Sequence, residues 1–267
     1  MANNSTISTC KLWPNNPFKC NILFVVQHIF PSISILGCSW ILLIIWLFKK
    51  YHVFVQRLIV ALVTSALFLS VSYLLGNVHM KHSQLRCYAQ SIFMQYFLWA
   101  TLSWVIVISV NMIFIVKGID SKKYELFYHA FAWTNALLWA GIPFVNNSYG
   151  PAGVWCWIKK EASILRFGVW YLPLLIVCLC LSVMYVYMFI RNRRLAKYSS
   201  AAELEQTFQI YQREVKPLLV YPFIYILLTI PIFVYRLYDV THPHHEPKFV
   251  LLLTAVVFAP SAGFAMQ

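Results

Sequence analysis

Chemistry in this chain would have to come from few ionisable or metal-ligating residues: eight Asp and Glu and eight His among 267. The carboxylates Asp120, Glu125, Glu161, Glu203, Glu205, Glu214, Asp239 and Glu246 all fall in polar breaks or at the ends of long apolar stretches. Pumps, proton relays, ion-coupled transporters and intramembrane hydrolases keep charge or metal ligands at depth, because a charge in hydrocarbon costs several kcal/mol and is retained only for a purpose. The distribution excludes those classes, and no catalytic residue is expected. His242, His244 and His245 in Thr-His-Pro-His-His-Glu-Pro, with His79 and His82 in another break, are zinc-ligand types. Pro243 and Pro247 read the first group equally as a fixed polar turn, and neither metal nor cofactor is expected. A Schiff-base lysine is absent from 249–267, which disfavours a retinal protein.

The elements around these residues are set by composition. Hydrophobic residues make up 61% of the chain and charged residues 11%, against roughly 45–50% and 25% in soluble domains. An ordinary soluble globule is excluded. Although the net charge is +13, no nucleic-acid-binding pattern accompanies it, and no nucleic-acid partner is expected. A transmembrane helix needs about 20 mostly apolar residues, and seven stretches supply them: 22–48, 53–76, 87–116, 126–145, 166–190, 217–235 and 249–267. They are apolar all round and lack the alternation of barrel strands. The fold class expected is all-α membrane, a seven-transmembrane helix bundle in the lipid bilayer, preceded by a short arm over 1–21. That arm has no apolar h-region, so the first span is expected to direct insertion.

Orientation follows from Lys and Arg, which are retained on the cytoplasmic side. With the N-terminus outside, the inner loops hold Lys49, Lys50 and Arg57; Lys117, Lys122 and Lys123; and Arg191, Arg193, Arg194, Lys197, Arg213 and Lys216. Their density is about twice that of the outer segments. The glycosylation acceptors Asn3, Asn4 and Asn146 then all lie outside. So do Cys10, Cys20, Cys87 and Cys156, which allow up to two disulfides in three connectivities, while Cys38, Cys178 and Cys180 lie within spans. Seven spans, a disulfide-capable outer face and basic inner loops describe a plasma-membrane receptor.

Within the second outer loop, Tyr149-Gly150-Pro151-Ala152-Gly153-Val154-Trp155-Cys156-Trp157-Ile158 resembles the corresponding loop of the slime-mould cyclic-AMP receptors and related orphan G-protein-coupled receptors. Its Cys-Trp pair is also similar to the secretin-like receptors. Tyr171-x-Pro173 is similar to the fifth-helix pattern of the cyclic-AMP-receptor group, and Tyr221-Pro222 with Pro231 and Arg236 to its sixth. The resemblance implies a disulfide between Cys87 and Cys156, leaving Cys10 and Cys20 as a candidate second pair. Departures accompany it. The Asp-Arg-Tyr signature of rhodopsin-like receptors is absent where Ser109-Val110-Asn111-Met112-Ile113 runs, the second span has no acidic residue, and the third lacks the glutamate of secretin-like receptors. The large ectodomain of secretin-like receptors is not expected with about 21 residues ahead of the first span, and the last span stops at Gln267 without a basic anchor, as expected of a fragment, a splice form or a reduced member.

The expected function is therefore an orphan G-protein-coupled-type receptor that carries the signal of an unknown extracellular ligand to a heterotrimeric G protein through the fifth and sixth helices. A non-signalling, receptor-like membrane protein with a structural or trafficking role is the alternative. Ligand-pocket candidates in the outer half are Gln95, Tyr96, Trp99, Trp155, Trp157, Tyr171 and Arg236, although Trp and Tyr near span ends also form interfacial belts. Cyclic AMP is not implied: an anion needs basic groups facing the cavity, and Arg166, Arg236, Lys159, Lys160 and Lys248 at the outer mouth also suit interface anchoring. Arg191, Arg193, Arg194, Arg213 and Lys216 are the G-protein-facing candidates. Leu204, Phe208, Tyr211 and Val215 form a helical stripe that would extend the sixth span, with Pro222 and Pro231 as pivots.

Overall fold

The computed structural model describes residues 13, 16–76, 84–198, 216–242 and 248–261, with backbone alone for residues 116, 188, 189, 191–198 and 216–226. Among these residues the chain forms seven long helical segments and one β-hairpin. Helix α1 spans Pro17–Leu47, five residues ahead of the expected start. The reason is local: Asn16 Oδ1 accepts from the Lys19 amide at 3.3 Å, and Pro17 at the first helical position has a φ suited to the turn and no N–H to leave unsatisfied. Helix α2 spans Phe54–Leu74 and α3 spans Gln84–Val116. α3 is closed by Gly118 at φ 70°. There the Ile119 amide donates to Phe114 O at 2.9 Å and the Gly118 amide to Ile115 O at 3.0 Å, a Schellman ending.

Helix α4 spans Glu125–Gly141, shorter than the expected 126–145, and continues as a 3-10 turn over Ile142–Phe144. Helix α5 runs over 163–198 as the turn Ser163–Arg166, a π-helical turn Phe167–Tyr171 and the long segment Leu172–Tyr198. Helix α6 spans Lys216–Thr241, six residues beyond the expected end, and so carries both Arg236 and Asp239 on its last turns. Helix α7 spans Phe249–Phe258, followed by the 3-10 turn Ala259–Ser261. Residues 262–267 and the stripe Leu204, Phe208, Tyr211 and Val215 lie outside the described residues. Among the described residues four segments are long and apolar enough to cross a bilayer by themselves: Pro17–Leu47, Phe54–Leu74, Gln84–Ile115 and Lys160–Tyr187.

Helix α3 is the axis of the bundle, touching α2, α4, α5, α6 and both strands of the hairpin. Burial on every side explains why it is apolar all round: Trp104, Leu102 and Ala100 are fully enclosed. α1 instead turns Leu36, Trp40 and Trp46 outward, at 60–71% exposed, as a lipid-facing surface requires. Since lipid removes the hydrophobic drive between helices, small polar side chains tie them. Ser70 donates to Ser34 at 2.9 Å between α2 and α1, Thr101 to Ser65 at 3.2 Å between α3 and α2, and Asn135 to Ser103 at 2.9 Å between α4 and α3.

At the opposite end from the hairpin, Arg57 of α2 forks onto Glu125 at the head of α4, with Nε–Oε1 at 2.5 Å and Nη2–Oε2 at 2.6 Å. Both side chains are about a quarter to a third exposed, so solvent screening limits the bridge to about 0.5–1 kcal/mol. A double-mutant cycle with Arg57→Met and Glu125→Gln, read by thermal unfolding of the purified chain, should return a coupling of about that size; non-interacting, additive losses would count against the fork.

Candidate ligand-binding site

The site is built around a hairpin, β1 (Tyr149–Pro151) and β2 (Cys156–Ile158), antiparallel with Tyr149 opposite Ile158 and Pro151 opposite Cys156. No strand was expected here. The turn closes because Gly153 takes φ 107°, a region closed to most side chains, while the Ala152 amide donates to Trp155 O at 3.0 Å. Cys156 is bonded to Cys87 at the head of α3, their Cα atoms 5.2 Å apart. Cys20 is also disulfide-bonded, while Cys10 lies outside the described residues. Cys38, Cys178 and Cys180 are free thiols.

A buried strand must find partners for its polar atoms, and helix side chains supply them. Gln90 Oε1 accepts from the Cys156 amide at 3.0 Å while its Nε2 donates to Ser72 O at 3.1 Å. Gln27 Nε2 donates to Val154 O at 3.4 Å, and Gln95 Oε1 accepts from the Trp157 indole at 2.7 Å. Arg166 Nη2 donates to Ile158 O, and Arg236 Nη1 to Ala152 O at 3.4 Å. Gly76 leaves room for this network: a Cβ there would stand 2.6 Å from the amide nitrogens of both Gln27 and Gln90.

Beneath the hairpin lies a small cavity of about 50 Å³, walled by Trp155 and Trp157 from above, Trp170 and Tyr171 of α5, Arg236 of α6, and apolar residues of α2, α3, α6 and α7. Arg166 and Arg236 are 1% and 2% exposed, so they are not interface anchors. Asp239 lies between them, 4.0 Å from Arg166 Nη1 and 3.7 Å from Arg236 Nη1, and takes Lys160 Nζ at 2.8 Å. Among the described residues three cations thus meet at this carboxylate, Lys160 from a part-exposed position. The Trp157 ring offers its face to both guanidinium groups, at 5.4 and 5.9 Å.

Of the seven pocket candidates, Trp155, Trp157, Tyr171 and Arg236 line the cavity. Gln95 stands one layer behind, holding Trp157. Trp99 stacks flat on Trp139 at 4.3 Å and edges Trp170 at 5.8 Å, sealing α3 against α4 and α5. Tyr96 packs along Trp133 at 6.4 Å, away from the cavity. Tyr73, Trp170 and Thr229 also line the wall and were not anticipated; Tyr73 meets Trp155 edge-on at 5.4 Å. Tyr73 had a visible signal, an aromatic one turn inside the outer end of the second span, and the apolar lining had none. Lys159 donates to Asn147 O at 2.9 Å, and Lys248 lies 4.7 Å over the Tyr238 ring. Asn146 is exposed, while Asn3 and Asn4 lie outside the described residues. So do His79, His82, His244, His245 and Arg213. Arg191, Arg193 and Arg194 fall on the last turns of α5 and Lys216 opens α6, with their side chains not described.

A family model described as the slime mold cyclic AMP receptor matches residues 15–264. The chain belongs to that family. Among curated relatives, cyclic AMP receptor-like protein A of Dictyostelium discoideum is 29% identical over 148 residues, 55% of this chain and 39% of that protein. Cyclic AMP receptor 4 of the same organism is 26% identical over 188 residues, 65% of this chain and 42% of its own length. G-protein coupled receptor 1 of Arabidopsis thaliana is 25% identical over 147 residues, 54% and 44% of the two chains. The chain therefore spans about two fifths of the length of these relatives. The crystal structure of squid rhodopsin superposes with a TM-score of 0.66 over 92% of this chain and 81% of that one, at 16% identity. The fold of this cyclic AMP receptor family member is thus the seven-helix bundle of a G-protein-coupled-type receptor.

Replacing Gln90 by Leu removes the acceptor for the buried Cys156 amide. The expected loss is about 1–3 kcal/mol of stability, with faster hydrogen exchange across 154–158 than elsewhere in the bundle. Uniform exchange would show that the disulfide alone holds the strand.

Proposed function

We propose that this protein is a plasma-membrane receptor whose hairpin end faces outward with the N-terminus, and that a small anionic ligand in the cavity beneath the hairpin changes the packing of α5 and α6. The observation that carries this reading is a pair of buried arginines under the hairpin, Arg236 at the cavity wall and Arg166 beside it across Asp239. Buried charge without a partner costs several kcal/mol, and among the described residues Asp239 is the carboxylate that Arg166 and Arg236 share. A ligand anion reaching Arg236 would complete the balance and bridge α5, α6 and the hairpin.

The bridging gives the ligand a means to act. A ligand shifts a conformational equilibrium only by its differential affinity for the two states. Arg166 on α5 and Arg236 on α6 both hold hairpin carbonyls, so relative motion of the two helices alters the anion's coordination. Pro222 and Pro231 lie inside α6, where each removes a helical N–H and so lowers the resistance to bending. The basic ends at Arg191, Arg193, Arg194 and Lys216 then meet a heterotrimeric G protein on the cytoplasmic side.

The relatives are named as cyclic AMP receptors, which makes cyclic AMP the first anion to apply. In cells with the chain at the surface, G-protein activation should respond to an anionic ligand or show constitutive activity, and Arg236→Gln should weaken the ligand response at least about tenfold, the equivalent of 1.4 kcal/mol. Silence with every G-protein class at normal surface expression would leave the non-signalling alternative standing instead.

A further inference from the structure

The end of the bundle opposite the hairpin carries a second concentration of charge. Residues 48–57 and 117–125 hold Lys49, Lys50, Arg57, Lys117, Lys122 and Lys123 against two carboxylates, Asp120 and Glu125. Arg57 brings the two stretches together: while its fork takes Glu125, its Nη1 also donates to His52 O at 3.1 Å. Lys49 and Lys50, just ahead of His52, and Lys122 and Lys123, just ahead of Glu125, therefore flank one guanidinium. All four lysines are exposed, and among the described residues none enters an ion pair. Lys49 is held at a backbone cost. It closes α1 at φ 51°, where glycine is the usual residue because it has no Cβ. A lysine kept in that conformation points to a use for its head. On the membrane side of the same lysines, Leu47 and Phe48 after α1 and Leu126 and Phe127 on α4 are 62–83% exposed. Lys50 Nζ stands 5.8 Å over the Phe48 ring and Lys123 Nζ 5.2 Å over the Tyr124 ring, so the ammonium groups sit beside aromatics of the kind that mark the bilayer's edge.

We infer that this surface binds an anionic phospholipid of the adjoining leaflet, its headgroup phosphates between the lysines of the two loops and its acyl chains against Leu47, Phe48, Leu126 and Phe127. Unpaired ammonium groups beside exposed apolar side chains match the two parts of such a lipid. A free phosphate would meet the lysines and leave the apolar part unused. Retention of basic residues on the cytoplasmic side accounts for lysines in these loops, but not for one in a glycine conformation, nor for the fork that gathers two loops into one surface. A headgroup with phosphates around an inositol ring reaches more of the four lysines than one with a single phosphate. The site uses no residue of the cavity under the hairpin, so it stands whether or not the chain signals.

The test uses the full chain purified in a neutral detergent, with unfolding temperature followed against lipid concentration. Dioctanoyl phosphatidylinositol 4,5-bisphosphate should raise that temperature saturably. Dioctanoyl phosphatidylcholine, with the same chains and no net charge, should not, and inositol 1,4,5-trisphosphate, with the phosphates and no chains, should need at least about tenfold more. Lys49→Gly separates binding from folding. Glycine takes φ 51° at less cost, so the lipid-free variant should unfold no earlier than the parent, while its lipid midpoint rises about fivefold. Adding Lys122→Gln and Lys123→Gln should bring the rise to at least about tenfold, whereas Lys19→Gln at the outer end should leave it unchanged. No shift with the inositol lipid, an equal shift with phosphatidylcholine, or an unchanged midpoint in the triple variant would each overturn the inference. So would an equal loss in Lys19→Gln, which would show attraction to net charge alone, or an equal midpoint for the trisphosphate, which would show a soluble-anion site.

Discussion

Inside a protein that lives in lipid, a backbone amide or carbonyl outside a helix has no water to bond, and the strand Cys156–Ile158 is buried at all three residues. The whole outer end of the molecule follows from how that need is met. Gln27 of α1, Gln90 and Gln95 of α3, Arg166 of α5 and Arg236 of α6 each reach the hairpin. Four helices are therefore registered against one loop, and the disulfide to Cys87 fixes the loop to α3. The cavity exists because this roof is held up by side chains rather than resting on packed apolar residues.

Much of the bundle was legible in the sequence for one reason. Hydrocarbon demands long apolar runs, and length with hydropathy is a local property that can be read without knowing any contact. α1, α2 and α3 came out within five residues at each end on that basis. The misplaced ends have local causes too: the Asn16 cap advances α1, and Arg236 with Asp239 on α6 broke the apolar run without breaking the helix, because Arg236 reaches a hairpin carbonyl and Asp239 meets Lys160 and Arg166 across the bundle. The bond between Cys87 and Cys156 was anticipated only through the resemblance of the Trp-Cys-Trp loop. Four outer cysteines alone left three pairings open.

The cavity was less legible because burial is a property of three-dimensional neighbours. Trp155, Trp157 and Tyr171 suited an interfacial belt as well as a pocket until their rings were found enclosed. Arg166 and Arg236 suited lipid headgroups until both proved nearly inaccessible. Nothing in their local sequence distinguishes the two outcomes. What does so is Asp239, 73 positions beyond Arg166 in the chain, and the carbonyls of a hairpin whose three-residue strands are too short to give a periodic signal.

One feature of α5 connects local chemistry to this arrangement. Pro173 has no amide hydrogen, so the Val169 carbonyl loses its ordinary helical donor, and the Leu172 amide instead bonds Phe167 O, five residues back. In a regular helix, residues five apart lie about 140° from each other around the axis. The wider turn brings them closer to line, and Arg166, Trp170 and Tyr171 are all buried. Tyr171 thereby reaches the cavity and meets Trp157 edge-on at 6.1 Å and Phe233 at 5.7 Å, while Arg166 on the turn above still reaches the hairpin. With a regular turn, one of those two side chains would face away from the bundle. The proline in Tyr171-x-Pro173 thus acts through the carbonyl it leaves unpaired, and the aromatic wall and the charged roof share a single helix because of it.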